Sequence, residues 1–270
     1  MTTLDSAAGA PGVGVVTGAG RGIGAAVAKR LSGRGWRLVL VDSCADDPAA
    51  DYRLATRAEL DAVVESCGPE AVSHVADVRD QAGLEAAVDL ARSRFGGLDA
   101  AIAVAGLIAG GPTTWETDDE LWAAMIDVNL GGVRRLARAA VPAMLERPVP
   151  RRGRFVAVAS AGGVVGLPRL GAYVAAKHGV VGFVRSLAAE LGPEGITANI
   201  VAPGSTRTAA LTASAALYEL SSPEEFRVHH LVPRLLEPDE VAAAVAWLCE
   251  DISSGVTGIV VPVDAGMTAR

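Results

Sequence analysis

Short apolar runs recur along the chain, and stretches with helical periodicity separate them. The runs are continuously apolar rather than alternating, which is typical of strands that are buried on both faces. The pattern predicts strands at Gly12–Thr17, Arg37–Val41, Ala71–Val75, Ala100–Val104, Phe155–Ala159, Thr197–Val201 and Gly258–Pro262. It predicts helices over Gly22–Leu31, Asp80–Phe95, Asp118–Leu145, Gly171–Leu191 and Glu237–Glu250.

The alternation of strands and helices predicts an α/β protein with a doubly wound Rossmann fold. We expect a central parallel sheet of about seven strands, with helices on both faces, in a single domain that spans residues 1–270. Ligands of such sheets bind beyond the carboxyl ends of the strands. The residues that directly follow each strand are therefore the first candidates for a functional site.

Three segments depart from this alternation. Residues 1–11 are interpreted as a flexible tail. Residues 43–56 form an insertion longer than the usual connection between a strand and a helix, and a disordered surface excursion is its alternative interpretation. Residues 204–236 are longer still, and long loops on rigid α/β scaffolds are often functional, so we expect a substrate lid there.

Composition narrows the class of protein. The formal net charge is −7, which argues against nucleic acid as the main partner because phosphate binding needs clustered Lys and Arg. No apolar run is long enough for a membrane span, and the N-terminus lacks the pattern of a signal peptide. The three cysteines and four histidines show no spacing typical of metal ligands. The sequence therefore predicts a cytoplasmic protein with no metal site and no membrane contact.

A glycine-rich turn follows the first strand and opens the first helix. It spans Thr17–Gly24, and glycines there let a pyrophosphate approach the backbone at a helix N-terminus. The spacing differs from the common dinucleotide fingerprint, and a purely structural turn is the alternative. The candidate contacts in this turn are Gly18, Gly20, Arg21, Gly22 and Ile23.

Asp42 ends the second strand, 24 residues after Gly18. A carboxylate in that place accepts hydrogen bonds from the ribose hydroxyls of NAD and repels the 2′-phosphate of NADP. The alternative is a residue that caps a turn or a helix. Arg21 is a counter-signal, since a basic side chain in this turn could meet a 2′-phosphate. Asp42 is better placed, so we expect NAD as the cofactor.

Tyr173 and Lys177 are four residues apart on a predicted helix and share one face. Of 24 cationic residues only two are Lys, and an Arg at position 177 would lack the compact ammonium that passes a proton along a relay. A nearby ammonium and a positive nicotinamide ring are expected to lower the pKa of the Tyr173 phenol. Ser160 and Asn129 are candidate partners, although a loop residue and a tolerated core amide are their alternatives.

Together these motifs resemble the short-chain dehydrogenases/reductases from Val13 to Met267. The resemblance implies a catalytic tetrad of Asn129, Ser160, Tyr173 and Lys177, in which Tyr173 exchanges the proton and Asn129 holds a water beside Lys177. It further implies cofactor contacts at Asp77, Val78, Ala105, Gly106, Tyr173, Lys177, Pro203, Gly204, Thr206 and Thr208. The family usually has Asn-Asn-Ala-Gly after the fourth strand, whereas this chain has Ala103–Gly106 without either amide.

A finer resemblance is to the mycofactocin-coupled subfamily, which includes enzymes like carveol dehydrogenase. It rests on Val41–Pro48, Tyr52–Thr56 and Arg57–Leu60. The subfamily resemblance implies tightly held NAD that a peptide-derived redox carrier, mycofactocin, must reoxidise. The resemblance to the whole family implies a homotetramer that pairs through the helix Asp118–Leu145 and the helix of Tyr173, which have more apolar surface than one sheet face needs.

We therefore expect an NAD-dependent oxidoreductase that acts on an apolar secondary alcohol or ketone, such as a terpenoid or alicyclic compound. Apolar residues of the lid support this substrate class, namely Leu211, Leu217, Tyr218, Leu220 and Phe226, although they could equally pack on the protein itself. One rival is an NADPH-dependent carbonyl or acyl-thioester reductase, which Asp42 opposes. The other is a catalytically idle dinucleotide-sensing protein, which the complete tetrad opposes.

Overall fold

A computed structural model describes residues 12–269, so the expected tail at residues 1–11 lies outside the described residues. The strands are β1 (Val13–Thr17), β2 (Arg37–Asp42), β3 (Ala71–Val75), β4 (Ala100–Ala103), β5 (Arg154–Val158), β6 (Thr197–Pro203) and β7 (Val260–Val263). The helices are α1 (Gly22–Ser32), α2 (Arg57–Cys67), α3 (Gln81–Phe95), α4 (Asp119–Ile126), α5 (Gly132–Leu145), α6 (Gly171–Leu191), α7 (Ala209–Leu217) and α8 (Pro238–Leu248).

The strands form one seven-stranded sheet in the order β3-β2-β1-β4-β5-β6-β7. Every neighbouring pair is parallel. The order reverses between β1 and β4, which is the switch point where doubly wound folds bind ligands. The expected Rossmann fold is thus confirmed, and its carboxyl edge gathers the candidate residues.

Two apolar layers cover the sheet. On one face of the sheet, α3, α5 and α6 pack against strand residues such as Val39 and Phe155. On the other face, α1, α2 and α8 pack against strand residues such as Leu40 and Val156. Residues within one strand alternate between the layers, and both sets are buried in the inner strands β1, β4, β5 and β6. This burial on both faces is the reason for the continuously apolar runs in the sequence.

The predicted helix over Asp118–Leu145 is interrupted. It begins as α4, passes through a π-helical turn at Asp127–Gly131 and continues as α5. A π-turn inserts an extra residue and is often found at functional sites, which a reading of helical periodicity cannot reveal. Asn129 lies in this turn and is fully buried.

Two further elements differ from the sequence expectation. Helix α2 was not predicted, although Thr56 and Glu59 form a capping box at its start. The lid segment, expected as a long loop, contains α7 and a 3₁₀ turn at Pro223–His229. No helix within residues 12–269 is both long enough and apolar enough to cross a membrane.

Candidate active site

The turn after β1 is shaped to bring two backbones together. Gly18 has φ +67°, and a Cβ atom there would lie 2.7 Å from the backbone of Ala105, so only glycine fits. Gly22 also has a positive φ, +56°. No side chain caps α1 at Arg21, which leaves the first backbone N–H groups of the helix available to an anion.

Asp42 lies beside this turn at the end of β2. Its Oδ2 accepts the backbone N–H of Gly20 at 2.9 Å, and its Oδ1 accepts that of Cys44 at 3.3 Å. Asp42 therefore does organise a local turn, as its alternative interpretation held. The same contacts fix the carboxylate at the edge of the groove. A Cβ on Gly20 would lie 3.1 Å from Asp42 Oδ2, so a glycine at this position leaves room for the carboxylate.

The segment after β4 keeps its place without the family's two amides. Thr17 Oγ1 accepts the backbone N–H groups of Val104 at 3.2 Å and Ala105 at 3.4 Å. A Cβ on Gly106 would lie 2.7 Å from Asn129 Oδ1 and 3.3 Å from Lys177 Nζ. The Thr17 hydroxyl thus anchors this segment to β1, and Gly106 lets the backbone pass over the catalytic candidates.

The four tetrad candidates meet below this segment. Asn129 Oδ1 accepts the N–H of Leu107 at 3.2 Å, and its Nδ2 donates to Met125 O at 3.0 Å. Lys177 is buried and its Nζ donates to Val158 O at 3.1 Å. The Lys177 Nζ also lies 5.7 Å from the centre of the Tyr173 ring. The ammonium keeps further donors for a ligand.

Ser160 lies two residues after the end of β5 and caps a short 3₁₀ turn, where its Oγ accepts the N–H of Gly162 at 3.0 Å. A Cβ on Gly162 would lie 3.5 Å both from Ser160 Oγ and from Tyr173 Cε1, so the two side chains border one point. The Ser160 hydroxyl is thus both a cap, as its alternative held, and a neighbour of the Tyr173 phenol.

The loop after β6 forms the wall of the groove opposite the glycine turn. A Cβ on Gly204 would lie 2.8 Å from Asp264 Cα, so glycine is required there too. Thr206 is buried, with its Oγ1 donating to Gly204 O at 3.0 Å. Thr208 caps α7, and its Cγ2 would lie 3.3 Å from a Cβ on Gly22. The loop after β6 therefore faces the glycine turn across the groove.

One cleft of about 1060 Å³ joins these parts. It is lined by all of the candidate residues except Gly20, which lies behind Asp42: Gly18, Arg21, Gly22, Ile23, Asp42, Asp77, Val78, Ala105, Gly106, Asn129, Ser160, Tyr173, Lys177, Pro203, Gly204, Thr206 and Thr208. No group of His, Cys, Asp or Glu side chains within residues 12–269 is arranged to hold a metal ion.

Comparison with known proteins decides the family. The family model described as enoyl-(acyl carrier protein) reductase matches residues 18–268. The (-)-trans-carveol dehydrogenase of Rhodococcus erythropolis is 36% identical over 273 residues, covering 96% of this chain and 98% of that protein. The chain belongs to the short-chain dehydrogenase/reductase family.

Two further relatives place this short-chain dehydrogenase/reductase within its family. The crystal structure of carveol dehydrogenase from Mycobacterium avium in complex with NAD superposes with a TM-score of 0.91, at 32% identity, and the match covers 97% of this chain and 99% of that one. A putative ketoacyl reductase of Streptomyces coelicolor is 37% identical over 277 residues, with 99% of both chains covered. The expected likeness to carveol dehydrogenases is confirmed.

The insertion at residues 43–56, which we call the strap, crosses the groove of this dehydrogenase. Asp47 is buried and pairs with Arg79 at 2.8 Å. The carbonyl of Arg53 accepts a hydrogen bond from the Arg21 guanidinium, which lies 5.9 Å from the centre of the Tyr52 ring. The strap therefore touches the glycine turn and the loop after β3. Its apolar residues Ala49, Ala50 and Leu54 pack against the core, which is contrary to a disordered excursion.

Arg79 is a site residue that the sequence analysis missed. Its guanidinium binds the Asp77 carboxylate, with Nη2 2.5 Å from Asp77 Oδ2, while it also pairs with Asp47 of the strap. Burial raises the pKa of Asp77, but the hydrogen bonds from Arg79 outweigh it and hold that pKa below its usual value. The sequence did contain a signal for Arg79, because it is a cation two residues after Asp77 and could pair with the acidic residues of the strap.

The two central titratable groups respond to burial. Burial raises the pKa of Tyr173 to about 12, although a hydrogen bond with Ser160 acts in the opposite direction. Burial also lowers the pKa of Lys177 to about 8. We expected Lys177 and a bound nicotinamide ring together to lower the Tyr173 pKa; in the protein alone, desolvation of the phenolate dominates.

Proposed function

We propose that this chain oxidises an apolar secondary alcohol, or reduces the corresponding ketone, with NAD that it retains tightly. The observation behind the proposal is the continuity of the cleft. At one end Asp42 stands beside a glycine turn, and at the other Ser160, Tyr173 and Lys177 border an apolar pocket. A dinucleotide that extends between these ends would place its reacting ring against the tetrad.

The residues present fit such a dinucleotide. Uncapped N–H groups at the start of α1 would hold the pyrophosphate, and Asp42 would accept the ribose hydroxyls. Asp77, Val78 and Ala105 would border the adenosine. Lys177 would bind the nicotinamide ribose, and the segment Pro203–Thr208 would hold the carboxamide. When bound, NAD supplies the hydride acceptor.

The tetrad would manage the proton. In alcohol oxidation Tyr173 Oη accepts the hydroxyl proton while the carbinol carbon gives up its hydride and becomes a carbonyl. Ser160 donates a hydrogen bond to the substrate oxygen and keeps it beside Tyr173. A positive nicotinamide ring and the Lys177 ammonium both favour the phenolate, against the burial that opposes it. Asn129, bound to Leu107 and Met125, would hold a water next to Lys177.

The substrate half of the cleft has apolar walls. They are formed by Leu107, Ile108, Val165, Leu167, Pro168, Leu170, Leu211, Leu220, Phe226 and Met267. Four of the five expected lid residues line the cleft, whereas Leu217 does not. Tyr218 also lines it while its hydroxyl donates to Pro168 O at 2.5 Å. Carbon walls around one proton-transferring oxygen favour a hydrophobic alcohol, such as a terpenoid or alicyclic compound.

The cofactor preference follows from Asp42. Arg21, the counter-signal, already binds the strap through Arg53 O and the Tyr52 ring, and a 2′-phosphate would have to compete with these contacts. We expect kcat/KM with NAD to exceed that with NADP by at least about 100-fold, since a repelled phosphate and lost ribose bonds each cost over 1 kcal/mol.

Replacing Asp42 by Ala should bring the two values within about ten-fold of each other. The measurement is steady-state oxidation of a panel of alicyclic and terpenoid alcohols with each cofactor. An equal or better kcat/KM of the wild-type protein with NADP would contradict the proposal. It would favour the rival function, an NADPH-dependent carbonyl or acyl-thioester reductase, for which the ketoacyl reductase likeness speaks.

The strap is the basis for proposing tight retention of NAD. It begins beside Asp42, where the adenosine ribose would lie, and is tied to Arg79 on one side of the groove and Arg21 on the other. A segment that closes over a ligand must open before release, which slows dissociation. Bound NADH would then be reoxidised in place, and a peptide-derived carrier such as mycofactocin is the proposed electron acceptor.

We further propose a homotetramer. Within residues 12–269, the exposed Trp and Ile side chains fall in two regions of the chain: Trp115 and Trp122 at or near α4, and Trp247 in α8 with Ile252 and Ile259 before β7. A closed tetramer with two-fold axes uses two self-complementary interfaces, and each region would supply one. Light scattering at micromolar concentration should give four times the mass of one chain, 27.4 kDa. A monomer would contradict this prediction.

A further inference from the structure

The strap reaches farther than the adenosine end. Tyr52 Oη accepts the backbone N–H of Ile108 at 3.2 Å. Ile108 follows β4 and belongs to the apolar wall of the substrate half. A residue of the cofactor strap is thus bonded to the part of the site that would contact the alcohol.

The segment that receives this bond, Leu107–Gly111, has no regular secondary structure. It is anchored at its start by Asn129, which accepts the N–H of Leu107 at 3.2 Å. At its end Gly111 N–H donates to Arg169 O at 3.0 Å, and Arg169 Nε donates to Gly111 O at 2.6 Å. Between these anchors the Tyr52 hydroxyl holds the segment from the side of the strap. Its position therefore depends on the strap as well as on the catalytic helix.

Tyr52 is suited to a fixed structural contact. Its ring is half-buried and lies against the Arg21 guanidinium, while burial raises the pKa of its phenol, so it stays protonated at neutral pH. It is also near enough to Tyr173 to raise the pKa of that phenol.

We propose that Tyr52 is a positioning residue for the alcohol, which acts by fixing Ile108 and thereby the wall Leu107–Gly111. This inference rests on the proposed function. It adds that the strap serves both ends of the cleft, so that ordering of the substrate wall and closure of the strap stabilise each other. Linkage then requires the effect to be mutual: a bound alcohol slows the release of cofactor, and a bound cofactor tightens the alcohol.

The test is Tyr52→Phe, which keeps the ring against Arg21 and removes only the acceptor of the Ile108 N–H. We expect the KM for an alicyclic alcohol to rise about three- to ten-fold, the worth of one hydrogen bond, with kcat within about two-fold of wild type. Asp51→Asn is the matched control, because Asp51 is an exposed neighbour in the strap, and its KM should not change.

A second readout needs no turnover. Hydrogen exchange of the peptide containing residues 107–111 should be faster in Tyr52→Phe than in wild type and in Asp51→Asn, because the Ile108 N–H loses its acceptor. In addition, a non-reactive alcohol analogue should slow NADH release from wild type, and its effect should be smaller in Tyr52→Phe.

Each outcome separates the two claims. Unchanged exchange at residues 107–111, or an unchanged KM, would overturn the role of Tyr52 while leaving the proposed function intact. A fall in kcat at constant KM would also overturn it, since the hydroxyl would then act on the reaction rather than on position. If wild type oxidises no alcohol, the proposed function fails, and the exchange measurement alone shows whether Tyr52 holds the wall.

Discussion

Replacing Tyr173 by Phe should reduce turnover by about a thousand-fold, within the range that general acid–base catalysis contributes. The substitution removes the single oxygen that takes the proton from the alcohol. It keeps the ring, which is packed against the hydrophobic core and lies over Lys177. The protein should therefore fold normally, with a melting temperature close to that of wild type.

The matched measurement is NADH binding, for example by fluorescence titration. Loss of turnover with unchanged affinity for NADH would place the effect on the chemical step. Tyr218→Phe tests another hydroxyl of the same cleft, and we expect it to keep most of the turnover because its oxygen is bonded to Pro168. A Tyr173→Phe variant that retained half of the wild-type activity would contradict the assigned role.

Removing the strap should accelerate NADH release by at least about ten-fold, the equivalent of 1.4 kcal/mol. The variant replaces residues 45–55 with a short glycine-containing turn. It eliminates the Asp47–Arg79 ion pair, the bond from Arg21 to Arg53 O and the contact of Ala55 with Gly20. Release is measured by stopped-flow displacement, and cofactor content by absorbance after exhaustive dialysis.

A point variant guards against misfolding of the shortened protein. Asp47→Asn keeps the size of a buried side chain and weakens its pairing with Arg79, while an amide oxygen can still accept the N–H of Ala49. Asp51→Asn makes the same change at an exposed strap position. We expect Asp47→Asn to release NADH faster than wild type and Asp51→Asn to release it at the wild-type rate. If wild type emerges from dialysis without cofactor, or the shortened strap releases NADH no faster, the strap does not retain the cofactor.

Local patterns predicted much of the site. The glycine turn, Asp42 and the pair Tyr173–Lys177 could be found from sequence because each is a short motif at the end of a strand or on one helix face. The carboxyl ends of parallel strands meet at one edge, so the strand pattern also brought these motifs together. The loss of the family's two amides after β4 was visible in the sequence. The hydrogen bonds from the N–H groups of Val104 and Ala105 to the Thr17 hydroxyl, which hold this segment, were not.

Contacts between distant positions could not be predicted in this way. The strap was recognised by its length, yet its path depends on Asp47 meeting Arg79 and on Tyr52 meeting Ile108, 56 residues later. The π-turn around Asn129 adds one residue to a helix whose apolar periodicity looks uninterrupted. Burial raises the pKa of Tyr173 in the protein alone, and that burial comes from packing between elements that are distant in the sequence.

The central claim is that the carbinol hydride of an alcohol passes to NAD in a cleft where Tyr173 takes the proton. The most direct test is a single turnover with the protein loaded with NAD and freed of excess cofactor. The substrate is an alicyclic secondary alcohol with deuterium at its carbinol carbon. We expect absorbance at 340 nm and one deuterium at C4 of the nicotinamide, both formed about a thousand-fold more slowly in Tyr173→Phe. Absence of deuterium transfer from every alcohol of the panel, or transfer at an equal rate in Tyr173→Phe, would contradict this claim.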